Sequence, residues 1–131
     1  MTMTMSTADW DAEGDFDRAR DCANDPDRLQ DLGQSAEEKA ERRAGELGSA
    51  LADLLTLIRL VRAWVGREYV RVPWHVIVQV VAVLIYFVNP LDIIPDFIPG
   101  LGYVDDVAAI ALVRNSIRSE LRVFREWEAD G

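Results

Sequence analysis

The residues best suited to chemistry are four aspartates that lie close together in a stretch interrupted by proline and glycine. They are Asp92, Asp96, Asp105 and Asp106. Because carboxylate oxygens are the ligands that Mg²⁺, Mn²⁺ and Ca²⁺ prefer, the four aspartates are candidate ligands of a hard cation. Carboxylates in the first turn of a helix also accept backbone amide hydrogens and favour the positive end of the helix dipole. The spacing is not that of an EF-hand loop, so helix capping is the favoured interpretation.

Residues for nucleophilic catalysis are sparse. His75 is the only histidine and Cys22 the only cysteine, which excludes an intramolecular disulfide and a metal centre built from several histidines or cysteines. No serine or cysteine stands near His75 in the sequence, so a hydrogen-bonded histidine packed inside a helix is expected there. We therefore expect no catalytic residues and no cofactor, and an enzyme that depends on a carboxylate-bound metal is the less favoured alternative.

Charge is unevenly distributed along the 131 residues, whose net charge is −9. Residues 1–46 contain 13 acidic and 6 basic side chains, residues 47–88 contain 2 and 4, and residues 89–131 contain 8 and 4. A chain with this acidic excess is not expected to bind nucleic acid, because the phosphate backbone attracts an excess of cations.

The acidic N-terminal segment is poor in large apolar residues, so its burial cannot offset the entropy of ordering the backbone. We predict a disordered leader over residues 1–34 and a helical domain over residues 35–128. Ser35 and Glu38 have the spacing of a capping box, which predicts that the first helix begins near residue 35. The domain is predicted to be all-α, with main helices near 35–70, 73–88 and 104–127.

An apolar seam with heptad spacing runs through the first predicted helix. Its members are Leu47, Leu51, Leu54, Ile58, Val61 and Val65. Such a seam packs either against the core of its own chain or against a second copy, and it is too short for an independent coiled coil. Core packing is favoured, and dimerisation through the face from Leu47 to Val65 is the alternative.

Residues 72–88 form a run of 17 residues without a formal charge. As a helix the run is about 26 Å long, slightly less than the hydrocarbon layer of a bilayer, which is roughly 30 Å thick. Arg59, Arg62, Arg67 and Arg71 precede the run, and Trp64, Tyr69 and Trp74 lie beside them. Arginines mixed with tryptophan and tyrosine are typical of the interface between lipid and cytoplasm. The run predicts a transmembrane helix, a partly inserted helix or a buried core helix, and membrane contact is favoured.

An arginine stripe borders the apolar face of the last predicted helix. It consists of Arg114, Arg118, Arg122 and Arg125. Such a stripe suits an anionic lipid surface, and it equally suits pairing with acidic residues of the leader or of the proline-rich stretch. Pairing is favoured, because Glu120, Glu126 and Glu128 dilute the positive charge of the helix.

The stretch YFVNPLDIIPDFIPGLGYVDD closely resembles the characteristic pattern of the YkvA family, a small bacterial domain. The matching residues are Tyr86, Pro90, Asp92, Pro95, Asp96, Pro99, Gly102, Tyr103, Asp105 and Asp106. The resemblance extends over about residues 70–113. It implies a membrane-associated protein in which a proline- and aspartate-rich corner separates two apolar helices. No agreed activity comes with the family, so the resemblance implies structural residues and no catalytic ones.

These features favour a membrane-associated, non-enzymatic scaffold or adaptor in which the corner sets the angle between two apolar helices. Membrane lipid is the expected partner, and the N-terminus is expected on the cytoplasmic side. The alternative is a cytoplasmic helical module that dimerises, and homo-oligomerisation is left open in both cases. The sequence indicates no particular protein partner.

Overall fold

Helices dominate the computed structural model, which describes residues 17–89 and 106–130. They are α1 (17–23), α2 (Pro26–Arg42), α3 (Ala44–Leu47), α4 (Ala50–Val65), α5 (Trp74–Val88), α6 (Asp106–Ser116) and α7 (Arg118–Asp130). Within these described ranges the chain forms no strand, and the predicted all-α class is confirmed.

Helix α2 begins nine residues before the predicted start at Ser35. The side chain of Asp25 accepts hydrogen bonds from the backbone N–H groups of Asp27 and Arg28, at 3.2 Å and 3.3 Å. Pro26 follows in the first helical position, where its missing N–H removes no helical hydrogen bond. Asp25 therefore caps this helix, and the capping box predicted at Ser35 and Glu38 is wrong.

The predicted disordered leader is corrected for residues 17–34, which are helical in all but two positions. The buried residues of this part of the chain are Ala19, Cys22, Ala23, Leu29 and Gly33. Most of these residues are small, and they recur at helical spacing, so the two N-terminal helices approach the core closely. Close packing of this kind stabilises the helices although each residue buries little apolar area. Residues 1–16, the rest of the predicted leader, lie outside the described residues.

The predicted helix over residues 35–70 is divided into α2, α3 and α4. Gly48 ends α3 with a φ of 57°, a left-handed conformation that glycine adopts without the cost paid by other residues. The seam begins at Leu47, just before this break, and continues through α4, which packs against α2, α5 and α6. The structure shows the core-packing alternative. The alternative of dimerisation through this face is corrected, because other helices of the same chain cover it.

Helix α5 coincides with the predicted helix over residues 73–88, since Pro73 precedes its first residue, Trp74. Its buried side chains are Val76, Ile77, Val78, Val80, Val81, Ala82, Val83, Leu84, Tyr86 and Phe87. Helices α2, α4 and α6 surround it. The apolar run is thus a buried core helix, and its apolar residues face protein on nearly every side.

None of the described helices fits the transmembrane alternative for residues 72–88. Across residues 17–89 and 106–130, no helix combines the length and the apolar character that crossing a bilayer requires.

The predicted helix over residues 104–127 is divided at Ile117 into α6 and α7. The backbone N–H of Ile117 still donates to the carbonyl of Val113, at 3.0 Å, and the carbonyl of Ile117 accepts from the N–H of Leu121, at 3.0 Å. Helical hydrogen bonds are therefore kept on both sides of Ile117, where the two helices meet. Ile117, Leu121 and Phe124 are buried against the core.

Candidate functional site

The proline- and aspartate-rich corner lies almost wholly outside the described residues. This applies to Pro90, Asp92, Pro95, Asp96, Pro99, Gly102, Tyr103 and Asp105. Of the matching residues that remain, Tyr86 is buried in α5, and Asp106 is the first residue of α6. Among residues 17–89 and 106–130, no three histidine, cysteine or carboxylate side chains are grouped in a way that would hold a metal ion. Capping and cation binding by the four aspartates both remain predictions.

The helix that leads into the corner is held at its end by the only lysine of the chain. Lys39 Nζ donates a hydrogen bond of 2.6 Å to the backbone carbonyl of Phe87, and it lies 5.1 Å from the centre of the Phe87 ring. The last carbonyls of a helix lack helical partners and carry partial negative charge, so a cation is favourable there. Helix α2 thereby fixes the point from which the chain enters the corner.

A second candidate surface lies in the loop between α4 and α5. We define the loop surface as Arg67, Val70, Arg71 and Trp74, the first residue of α5; all four are exposed, as is Glu68 beside Arg67. The side chains of Val70 and Trp74 are 62% and 41% exposed, and Val70 is the most exposed large apolar residue in the described part of the chain. Two apolar groups and two cations are therefore exposed within residues 67–74.

The structure divides the four arginines that the sequence groups before the apolar run. Arg59 Nε pairs with Glu128 Oε2 at 2.8 Å, and an Arg62 guanidinium nitrogen pairs with Glu37 Oε1 at 3.2 Å. These two arginines connect α4 to α7 and to α2. Arg67 and Arg71 are exposed, and in the described part of the chain no carboxylate lies at salt-bridge distance from either of them.

The loop surface begins with a strained backbone at Arg67. The N–H of Glu68 donates to the carbonyl of Ala63 at 2.9 Å, and the N–H of Arg67 donates to the carbonyl of Trp64 at 3.1 Å. This pair of bonds closes α4 and requires a left-handed residue, which is Arg67 with a φ of 61°. Glycine is the usual residue there, because a side chain in this conformation costs about 1 kcal/mol.

Aromatic packing holds the loop against α7. Tyr69 is buried, and its ring centre lies 5.1 Å from that of Phe124 and 5.0 Å from that of Trp127. Burial raises the pKa of the Tyr69 phenol, and the nearby charge of Arg71 acts in the opposite direction. Trp74 packs against Trp64, with the ring centres 5.9 Å apart. The loop surface is therefore presented on a rigid support.

His75 does not pack in the core. It is exposed at the beginning of α5, next to Trp74, so the predicted packing histidine is wrong. It helps to line a cavity of about 260 Å³ together with Arg20, Trp74, Val78 and Gln79. Gln79, one turn later, is half-buried and accepts a hydrogen bond of 3.1 Å from the Ser116 hydroxyl.

The predicted arginine stripe lines a groove along α6 and α7. We define the arginine groove as the cavity of about 500 Å³ lined by Arg114, Arg118, Leu121, Arg122, Arg125, Glu126 and Ala129. Two of these arginines reach Asp53 on α4, through Arg114 Nε at 3.0 Å and an Arg125 guanidinium nitrogen at 3.7 Å. Arg125 also donates to the Thr56 hydroxyl at 3.4 Å.

Pairing of the arginine stripe is thus observed, but with a partner in α4 that no local sequence pattern indicates. Asp53 lies 61 residues from Arg114, and nothing in its immediate sequence distinguishes it from other acidic residues. Among the described residues, Arg114 and Arg125 pair with Asp53 and not with residues 17–34, while the corner and residues 1–16 lie outside the described residues.

Comparison with known proteins relates the chain to a described family. A family model described as "Protein of unknown function (DUF1232)" matches residues 76–112, which include nearly all of α5, the corner and the first half of α6. The chain is 36% identical over 74 residues to the "Uncharacterized membrane protein YkvA" of Bacillus subtilis (strain 168). The match covers 56% of this chain and 70% of the relative. No solved structure matches the chain.

Proposed function

The chain belongs to the YkvA-like family, and from this premise we propose that it is a membrane-associated helical module that binds lipid through the loop surface. The observation that carries the proposal is the exposure of Val70 and Trp74 close to Arg67 and Arg71 along the chain. The name of the Bacillus relative, a membrane protein, supports the same assignment.

The chemistry of the loop surface suits the boundary between lipid head groups and acyl chains. Tryptophan favours this depth, because its ring is apolar and its N–H donates a hydrogen bond. Arginines at the same level attract the phosphates of anionic lipids. Burying a valine side chain contributes about 1.5 kcal/mol, and each arginine near an anionic surface about 1 kcal/mol. Binding of this kind is shallow and leaves α5 in the protein core.

The scaffold or adaptor role is part of the proposal. Helices α2, α4, α5 and α6 pack around one core, and the loop is fixed to α7 by Tyr69, so the module offers a rigid body at the membrane surface. A protein bound elsewhere on this body would be held at a set height above the lipid. The proposal retains the N-terminus on the cytoplasmic side, where anionic lipids attract the two arginines of the loop surface.

Replacing Val70 by aspartate is expected to lower the affinity for anionic lipid vesicles at least tenfold. The change removes the inserted apolar group and adds a charge that anionic head groups repel. The measurement is co-sedimentation of the full chain with vesicles that contain phosphatidylserine.

Val123→Asp is the matched control for this experiment. Val123 is 39% exposed on α7 and does not belong to the loop surface, so the control makes the same chemical change at another exposed valine. Equal losses in the two variants would contradict the loop as the binding site. Retention of full affinity by Val70→Asp would do so as well.

Replacing Arg67 by glycine is expected to change stability and membrane affinity in opposite directions. Glycine relieves the left-handed backbone and raises the free energy of unfolding by about 1 kcal/mol. The lost cation weakens binding to anionic vesicles about fivefold. Urea unfolding and co-sedimentation of the same preparation measure the two effects.

Arg71→Gln is the control for this pair of effects. It removes one cation from the same surface and leaves the backbone conformation unchanged. We expect a similar loss of affinity without the gain in stability. A more stable Arg67→Gly protein that binds vesicles as well as the parent chain would be inconsistent with the proposal.

A further inference from the structure

We propose that the arginine groove is a binding site for a phosphate group, carried by a water-soluble ligand, at a place separate from the loop surface. The groove gathers four guanidinium groups around a cavity of about 500 Å³, with Glu126 as the carboxylate in its lining. Arginine forms paired hydrogen bonds with phosphate oxygens, because its planar fork of donors matches their spacing.

Two of the four arginines are held in place by the fold. Asp53 pairs with both Arg114 and Arg125, and Thr56 accepts a further hydrogen bond from Arg125. Asp53 is mostly buried, with 21% of its side chain exposed, whereas the two arginines are 39% and 52% exposed. Asp53 thus holds both guanidinium groups, through Arg114 Nε and a terminal nitrogen of Arg125, while both side chains remain partly exposed.

The other two arginines lie next to each other without such a partner. Arg118 and Arg122 are four residues apart on α7, a spacing at which like charges face each other and destabilise the helix. Within residues 17–89 and 106–130, no carboxylate lies at salt-bridge distance from Arg118 or Arg122. A bound phosphate would neutralise both of them and remove this repulsion.

The floor of the groove and its position favour a soluble ligand. Leu121 and Ala129 provide an apolar floor against which the carbon part of a phosphorylated molecule would pack. Phe124 and Trp127 face Tyr69 of the loop, and at about 100° per residue Arg122 and Ala129 lie on roughly the opposite side of α7. A membrane bound at the loop surface would therefore leave the arginine groove in water.

The test measures binding of inorganic phosphate and of pyrophosphate to the full chain by calorimetry at constant chloride concentration. We expect saturable binding, with pyrophosphate the tighter of the two. Arg118→Gln combined with Arg122→Gln should weaken it about 100-fold, because each arginine lost removes about a tenfold contribution.

The matched control is Arg28→Gln combined with Arg42→Gln. Both arginines are exposed on α2, outside the groove, so this variant loses the same two charges and should bind as the parent chain does. Equal losses in the two double variants would overturn the site, since only net charge would then matter. Absence of binding by the parent chain would overturn it too.

A third measurement distinguishes a phosphate on a soluble molecule from a phosphate on a lipid. It also tests the arginine groove independently of the proposed function. Vesicles that contain phosphatidate present the same chemical group on a lipid. If the parent chain binds these vesicles through Arg118 and Arg122 and binds neither soluble probe, the soluble ligand is overturned. If the soluble probes bind while Val70→Asp leaves vesicle binding unchanged, the groove stands and the loop proposal fails.

Discussion

Substituting aspartate for Val81 is expected to unfold the protein at 25 °C. Val81 is fully buried in the middle of α5, which α2, α4 and α6 surround. A carboxylate placed there has no cation beside it, and burying an unpaired charge costs at least about 4 kcal/mol, a large part of the stability of a small domain. Far-UV circular dichroism and urea unfolding measure the loss of helix and of cooperativity.

Val70→Asp provides the contrast for this result, since it makes the same substitution at a valine that is 62% exposed. We expect its free energy of unfolding to stay within about 0.5 kcal/mol of the parent value. If Val81→Asp unfolded at the same urea concentration as the parent chain, α5 would not be the core helix described above. The two variants together separate the buried helix from the exposed loop.

Replacing Phe124 by alanine is expected to lower the free energy of unfolding by about 3–5 kcal/mol. Phe124 is 1% exposed, and its loss leaves a cavity in addition to the lost transfer energy. It also removes ring contacts of 5.1 Å with Tyr69 and 5.7 Å with Trp127, which join the loop to α7. Urea unfolding, followed by tryptophan fluorescence, gives the change.

The neighbouring residue supplies the control for this substitution. Val123 is 39% exposed on α7, so Val123→Ala should change the free energy of unfolding by no more than about 0.5 kcal/mol. A loss below about 1 kcal/mol for Phe124→Ala would show that the aromatic contacts do not hold α7. A large loss would also weaken vesicle binding, because the loop surface rests on this cluster.

The ends of α5 are the feature that local residues predict best. Pro73 fits the first turn of a helix, and the 17 residues from 72 to 88 contain no charge, so both the helix and its length can be read from the sequence. The sequence leaves three environments open for this helix. Neighbouring helices decide among them, and those neighbours come from segments that are distant along the chain.

The N-terminal helices show the opposite case. Their apolar residues are mostly alanines, whose small area argues for disorder when area alone is counted. These residues stabilise the helices through close packing. A Cβ at Gly33 would lie 3.1 Å from Arg62 Nε, so the Arg62 side chain packs directly against the backbone of α2. A pattern of small residues gains its stabilising effect only when the partner helix is present.

The charged groups follow the same rule. Arg114 and Arg118 have identical residue type and lie on the same stripe, yet Arg114 pairs with Asp53 whereas Arg118 has no such partner in the described part of the chain. The approach of α4 to α6 makes this difference. The same holds for Arg59 and Arg67. The sequence places them in one basic group, whereas in the fold Arg59 pairs with Glu128 of α7 and Arg67 belongs to the loop surface.

Local information in the chain was sufficient for the all-α class, the extent of α5 and membership of the family, since helical periodicity, prolines and a long motif are properties of neighbouring residues. The position at which α2 begins, the burial of α5 and the identity of the exposed side chains came from the packing of α2, α4, α6 and α7. The reason is physical: whether an apolar or charged side chain is covered depends on which distant segment lies against it, and periodicity along one helix does not specify that segment.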